Sequence, residues 1–123
     1  QASPEGPIPL VIDYKTEPRS TTQQRVKNPL EDTQIAFYAA LLDEETVRGA
    51  YLSITDSREA IGKEPATRWI EQPDLLLARE HLLQGIADDL GRIAQGHALP
   101  ALGDGQVCEF CAARGLCRKD FSA

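Results

Sequence analysis

Leu10-Val11-Ile12-Asp13-Tyr14-Lys15-Thr16 is the stretch on which the reading of this chain depends. Ile8 to Tyr14 is β-branched and almost continuously apolar, which predicts a strand over residues 8–14, central in its sheet and buried on both faces. Pro9 restricts the start of that strand, because it cannot donate to a ladder. Side chains alternate across a strand, so Asp13 and Lys15 fall on one face and Tyr14 on the other. A carboxylate and an ammonium leaving a buried strand together suit phosphodiester hydrolysis. The carboxylate would hold a hard divalent cation such as Mg²⁺ (or Mn²⁺) through oxygen. The ammonium would orient or help deprotonate the attacking water and offset charge developing on the phosphate. An isolated Asp-x-Lys triplet is also a common surface ion pair, so its neighbours decide its meaning.

Working outward, residues 1–7 (Gln-Ala-Ser-Pro-Glu-Gly-Pro) are turn formers. Residues 16–30 are polar, contain Pro18 and Pro29, and show no hydrophobic period, which predicts a loop of about fifteen residues. A helix is expected over 31–43, with Glu31 and Asp32 at its N-terminus and a stripe of Ile35, Tyr38, Ala39 and Leu42. Gln34 and Tyr38, four apart, share a face of it. Arg48 to Thr55 reads as a strand with Ala50, Leu52 and Ile54 on one face and Tyr51 and Ser53 on the other. A weaker strand is expected near 67–70, with Trp69 as an anchor beneath a long helix running from Pro73 to Gln95. Gly96 is the expected stop, and 97–123 has little room for regular structure. The fold class is α/β: a small mixed sheet flanked by helices.

The 123 residues, 41% hydrophobic and 26% charged, suit one globular domain and exclude wholesale disorder. No apolar run approaches the length of a membrane span, and no basic-then-apolar leader opens the chain. There is no methionine and position 1 is Gln1, so the chain is expected to be a piece of a longer protein. The net charge of −6 is unevenly spread. Residues 14–27 hold Lys15, Arg19, Arg25 and Lys27 against Glu17, and residues 112–119 hold Arg114, Arg118 and Lys119 with no acid. Between them, residues 28–111 carry 15 acids and 6 bases. Local patches govern where a polyanion docks, so Arg19, Arg25, Lys27, Arg114, Arg118 and Lys119 are candidate contacts to a DNA backbone.

All three cysteines fall in Cys108-Glu-Phe-Cys111-Ala-Ala-Arg-Gly-Leu-Cys117. Thiols so spaced usually share a metal: zinc, with His97 as a permissive fourth ligand, or an iron–sulfur cluster. A disulfide and plain thiols are the alternatives. A reducing, cytoplasmic compartment disfavours the disulfide. His81 and His97 read as surface histidines, and no phosphate-binding glycine loop or nucleophile elbow is present.

Taken together, Leu-Val-Ile-Asp13-Tyr-Lys15-Thr, a polar loop, Gln34-Ile-Ala-Phe-Tyr38 and the C-x2-C-x5-C tail resemble the RecB-like branch of the PD-(D/E)XK nuclease superfamily, over Leu10 to Cys117. The resemblance implies a restriction-endonuclease-like fold and a Mg²⁺- or Mn²⁺-dependent deoxyribonuclease. Asp13 would be a metal ligand, Lys15 the catalytic lysine, and Gln34 and Tyr38 would support the site or contact DNA. It further implies an exonuclease coupled to a helicase in double-strand-break repair. AddB-type relatives hold a [4Fe–4S] cluster with such a cysteine triplet, here Cys108, Cys111 and Cys117, plus one cysteine upstream. Relatives also place a second metal-binding Asp on a strand ahead of the Asp-x-Lys strand, and Glu5 is a poor substitute for it. Residues 1–123 are therefore expected to be the C-terminal part of such a domain, with 97–123 as its cluster-binding tail. By themselves they are expected to have little nuclease activity and no assembled cluster. The rival functions are a non-catalytic DNA-binding or subunit-docking module on the same fold, and a zinc-binding adaptor.

Overall fold

The structure is a computed structural model that describes residues 2–3, 6–54, 66–101, 103 and 106–117. Two short strands, β1 (Ala2–Ser3) and β2 (Gly6–Pro7), pair antiparallel at the start. The elements that follow are β3 (Leu10–Lys15), α1 (Arg19–Arg25), α2 (Gln34–Ala40), β4 (Arg48–Ile54), β5 (Thr67–Glu71) and α3 (Leu75–Ala94), then one-turn helices α4 (Gln106–Glu109) and α5 (Arg114–Cys117). β3, β4 and β5 form a mixed sheet in that order. β3 runs parallel to β4, with Lys15 opposite Ser53, and β5 runs antiparallel to β4, with Trp69 opposite Leu52. The α/β class and the mixed, helix-flanked sheet expected from the sequence are what is observed. The chain divides into two compact units, Gln1–Ile86 and Ala87–Ala123, a division ten residues ahead of the tail boundary read at 97.

The core lies on one face of the sheet. Ile35, Ala36 and Ala39 of α2, Leu75 and Ala78 of α3, Val47 and Tyr51 pack together, all at most 5% exposed. Burying an Ile or Leu side chain fully contributes roughly 1.5–3 kcal/mol, so these few residues dominate the stability of the first unit. Gly49 lets the helices approach: a methyl group there would overlap Ile35 and lie 2.9 Å from the Leu75 side chain. Gly96, at φ +83°, closes α3, with Gly96 N–H donating to Ile93 O and His97 N–H to Arg92 O. This is the Schellman arrangement that glycine permits.

Several expectations are corrected. Residues 16–30 are not an unbroken loop, because Arg19–Arg25 is helical. Pro18 sits at the N-cap of α1, and the helix is held by one buried threonine (Thr22, 0% exposed) and by ion pairs, not by an apolar stripe. Among the described strands β3 is not central but at the edge of its sheet, and its residues alternate between exposed (Leu10, Ile12 and Tyr14) and half-buried. A continuous apolar run reads alike whether one face is covered or two. The covered face of β4 is that of Tyr51 and Ser53, both 0% exposed, while Ile54 is exposed on the other. Trp69 shares that open face through its pairing with Leu52, so it does not lie beneath α3 and is 55% exposed. Finally, α2 is shorter than 31–43, and the cysteine segment contains helical turns.

Candidate active site

Alternation along β3 sends Val11, Asp13 and Lys15 to the helix-bearing face, where the register sets them beside Gly49, Tyr51 and Ser53 of β4. The Lys15 ammonium is gripped there on three sides. It donates to Gln34 Oε1 at 2.7 Å, lies 2.9 Å from Asp13 Oδ2, and stands over the Tyr51 ring, 5.6 Å from its centre. Gln34 Nε2 donates in turn to the Tyr38 hydroxyl at 3.2 Å, one helical turn on. The structure therefore brings Asp13, Lys15, Gln34 and Tyr38 together. Lys15 and Asp13 are only 16% and 19% exposed in their side chains, whereas Tyr38 is 38% exposed.

A second polar layer lies behind the first, unanticipated from the sequence. The Tyr51 hydroxyl donates to Asp32 Oδ1 at 3.0 Å, which also accepts from Gln34 N–H at 3.3 Å. Arg25 donates through Nη1 to Asp32 Oδ2 (2.9 Å) and grips Glu17 with Nε (2.6 Å) and Nη2 (2.7 Å). Thr22 adds a hydrogen bond to Glu17 Oε1 at 3.1 Å. Bidentate, charge-assisted bonds of this kind are the strong ones. They hold the Glu17 carboxyl below its ordinary value, chiefly through Arg25. Burial pushes Asp32 up, but the bonds from Arg25, Gln34 N–H and Tyr51 outweigh it and its carboxyl is also held low. Burial, reinforced by the neighbouring Asp32 charge, raises the Tyr51 hydroxyl, which stays protonated as a donor. The sequence signals were faint: acids flanking a polar helix, and a tyrosine in the middle of a strand.

Asp13 Oδ2 and Ser53 Oγ are buried without a hydrogen-bond partner. Lys15 stands 2.9 Å from Asp13 Oδ2 as an ion pair, and that oxygen has no hydrogen-bond partner besides it. A buried carboxylate oxygen in that state fits a hard divalent cation. Mg²⁺ typically takes one or two carboxylates and completes its shell with water and substrate phosphate. Among the described residues no group of three or more His, Cys, Asp and Glu side chains is placed to share a metal ion. Cys108 is half-buried, Cys111 and Cys117 are exposed, and none of the three is in a disulfide.

The candidate DNA contacts divide. Arg25 is committed to Glu17 and Asp32, Lys27 is exposed, and Arg19 opens α1. Arg114 donates to Cys108 O at 3.4 Å, while Arg118 and Lys119 lie outside the described residues. An open groove of about 610 Å³ runs beside Gln34, lined by residues of α1 and of the approach to α2. A smaller cavity of about 250 Å³, between Leu10, Arg48, Ala50 and Trp69, is on the opposite face of the sheet from Lys15. No described helix is long and apolar enough to cross a membrane.

Comparison with known proteins agrees with this geometry at the level of the family. No curated protein and no solved structure matches the chain. The sequence model of one nuclease family does match, over residues 3–118, a span that contains the Asp-x-Lys strand, the helix that grips its lysine and the cysteine segment. The chain thus belongs to the PD-(D/E)XK nuclease superfamily.

Proposed function

We propose that the chain is part of the DNA-cleaving domain of a helicase-coupled nuclease, which hydrolyses phosphodiesters at the mouth of β3. The observation that carries this reading is the convergence of Asp13 Oδ2 and Gln34 Oε1 on the Lys15 ammonium. A divalent cation, when bound, polarises the scissile phosphate and lowers the pKa of a coordinated water. Asp13 would hold that cation through its available oxygen. Lys15, oriented by Gln34, presents its remaining donor directions to the phosphate oxygens and to the attacking water. Tyr38, at the exposed end of the same chain of bonds, meets the DNA backbone, with Lys27 and Arg19 contributing charge. The resemblance of the Gln-x-x-x-Tyr helix and the cysteine spacing to RecB-like enzymes supports the helicase coupling and the action on DNA ends.

One observation favours a second reading, a DNA-binding or docking module on the same fold: Asp13 is the one carboxylate that the described part of β3 offers to a metal. A single experiment separates them. The chain, in excess over linear DNA, is incubated with Mg²⁺ or Mn²⁺ beside the Lys15→Ala variant. Slow cleavage that needs the metal and is lost in the variant supports the nuclease. Retention of DNA on a gel without cleavage in either metal, unchanged in the Lys15→Ala variant and in a chain extended upstream to carry the second acidic strand, supports the module.

A further inference from the structure

We propose that Tyr51 is a positioning residue for Lys15, and that its hold is set by the carboxylate–guanidinium relay running from Asp32 through Arg25 to Glu17. This deepens the nuclease reading and rests on it. Tyr51 is 0% exposed, so its ring is fixed by packing on every side. Its face is the floor under the Lys15 ammonium, on the side not occupied by Asp13 or Gln34. Its hydroxyl is tied to Asp32, the group that also receives Gln34 N–H at the start of α2. One carboxylate therefore fixes two of the three groups touching the lysine, the ring below and the glutamine beside it. Asp32 is itself fixed by Arg25, whose other contacts reach Glu17, two residues beyond Lys15 on the same chain segment. The relay closes a loop, leaving β3 after Lys15, crossing α1, entering α2 and returning beneath Lys15 through β4. Displacing α1 would loosen the floor of the site without touching the amine.

A misplacement of about 1 Å at a reacting group costs up to about a hundredfold in rate, and outer partners of reactive groups typically cost tenfold or more when removed. The test uses a signal that a merely structural role would not move. A methylene held over an aromatic ring is shifted upfield by the ring current. In carbon–proton spectra of the lysine-labelled chain, the Lys15 ε-methylene, bonded to the Nζ that stands over the Tyr51 ring, should therefore lie upfield of that of the exposed Lys27. Tyr51→Phe, which keeps the ring and removes the tether, should move it part of the way back, and so should Asp32→Asn, which touches neither Lys15 nor the ring face. In a cleavage-competent form of the chain, extended upstream to carry the second acidic strand, Tyr51→Phe should also lower kcat for DNA cleavage about tenfold with little change in KM. A Lys15 resonance that is undisplaced in the parent chain, or unmoved in both variants while they unfold cooperatively, overturns the proposal. A displaced resonance that responds to both variants, where the upstream-extended chain does not cleave DNA, instead removes the nuclease reading and leaves the positioning intact.

Discussion

The two faces of the three-stranded sheet differ sharply in burial and in chemistry. On one, Val11, Asp13, Lys15, Tyr51 and Ser53 share the face that carries the helices, and Lys15 and Tyr51 are gripped there by Gln34, Asp13 and Asp32. On the other, Leu10, Ile12, Tyr14, Ile54 and Trp69 remain between 36% and 64% exposed, with the Arg48–Glu71 ion pair at one margin. The same strands supply both sets, in strict alternation. Chemistry has gathered on the closed face because a buried amine or carboxylate needs fixed partners, and helices provide them. The open face, exposed to water, imposes no such requirement.

Substitutions on the two faces should therefore differ in size. The largest effect is expected at Gly49, where a methyl group would collide with Ile35 and crowd Leu75. Gly49→Ala should lower the free energy of unfolding by about 1–3 kcal/mol, read as a lower urea midpoint at unchanged slope; an unchanged midpoint would mean that α2 does not press on β4. Next comes Arg25→Met, which leaves Glu17 and Asp32 without their shared partner and should cost about 1–2 kcal/mol at neutral pH. That pair of acids also sets an acid response. Both carboxyls are held low in the folded chain, so their stabilisation is complete above their unfolded pKa values, about 4.3 for Glu and 3.9 for Asp. It is lost as pH falls through the lower folded values. The melting temperature should drop below about pH 4, and the Arg25→Met variant should show a flatter acid limb; parallel limbs would detach the ion pairs from stability. The smallest effect is expected on the open face: Tyr14→Thr should stay within about 0.5 kcal/mol, and a larger loss would show that this face is more closely packed than Tyr14's 64% exposure indicates.

Each pair of the first layer was legible because its own spacing is local, whereas the meeting of the two pairs, Lys15 with Gln34 across 19 positions, was implied only by the family resemblance. Asp13 and Lys15 share a face by the two-residue period of a strand, and Gln34 and Tyr38 by the four-residue step of a helix. The second layer was not. Asp32 and Tyr51 meet across 19 positions, and Arg25 looked like a free basic residue because nothing local reveals that Glu17 and Asp32 converge on it. α1 escaped notice because a helix held by ion pairs carries no hydrophobic period. The face of Trp69 depended on the β4–β5 register, which is a tertiary fact.

The placement of the aromatic residues has a practical corollary. The single tryptophan, Trp69, is more than half exposed already, so its emission should change little when the core melts and would understate the transition. Tyr51, buried and hydrogen-bonded, is the better chromophore. Its near-ultraviolet absorbance difference on denaturation reports a residue that belongs to core and sheet and lies under the lysine.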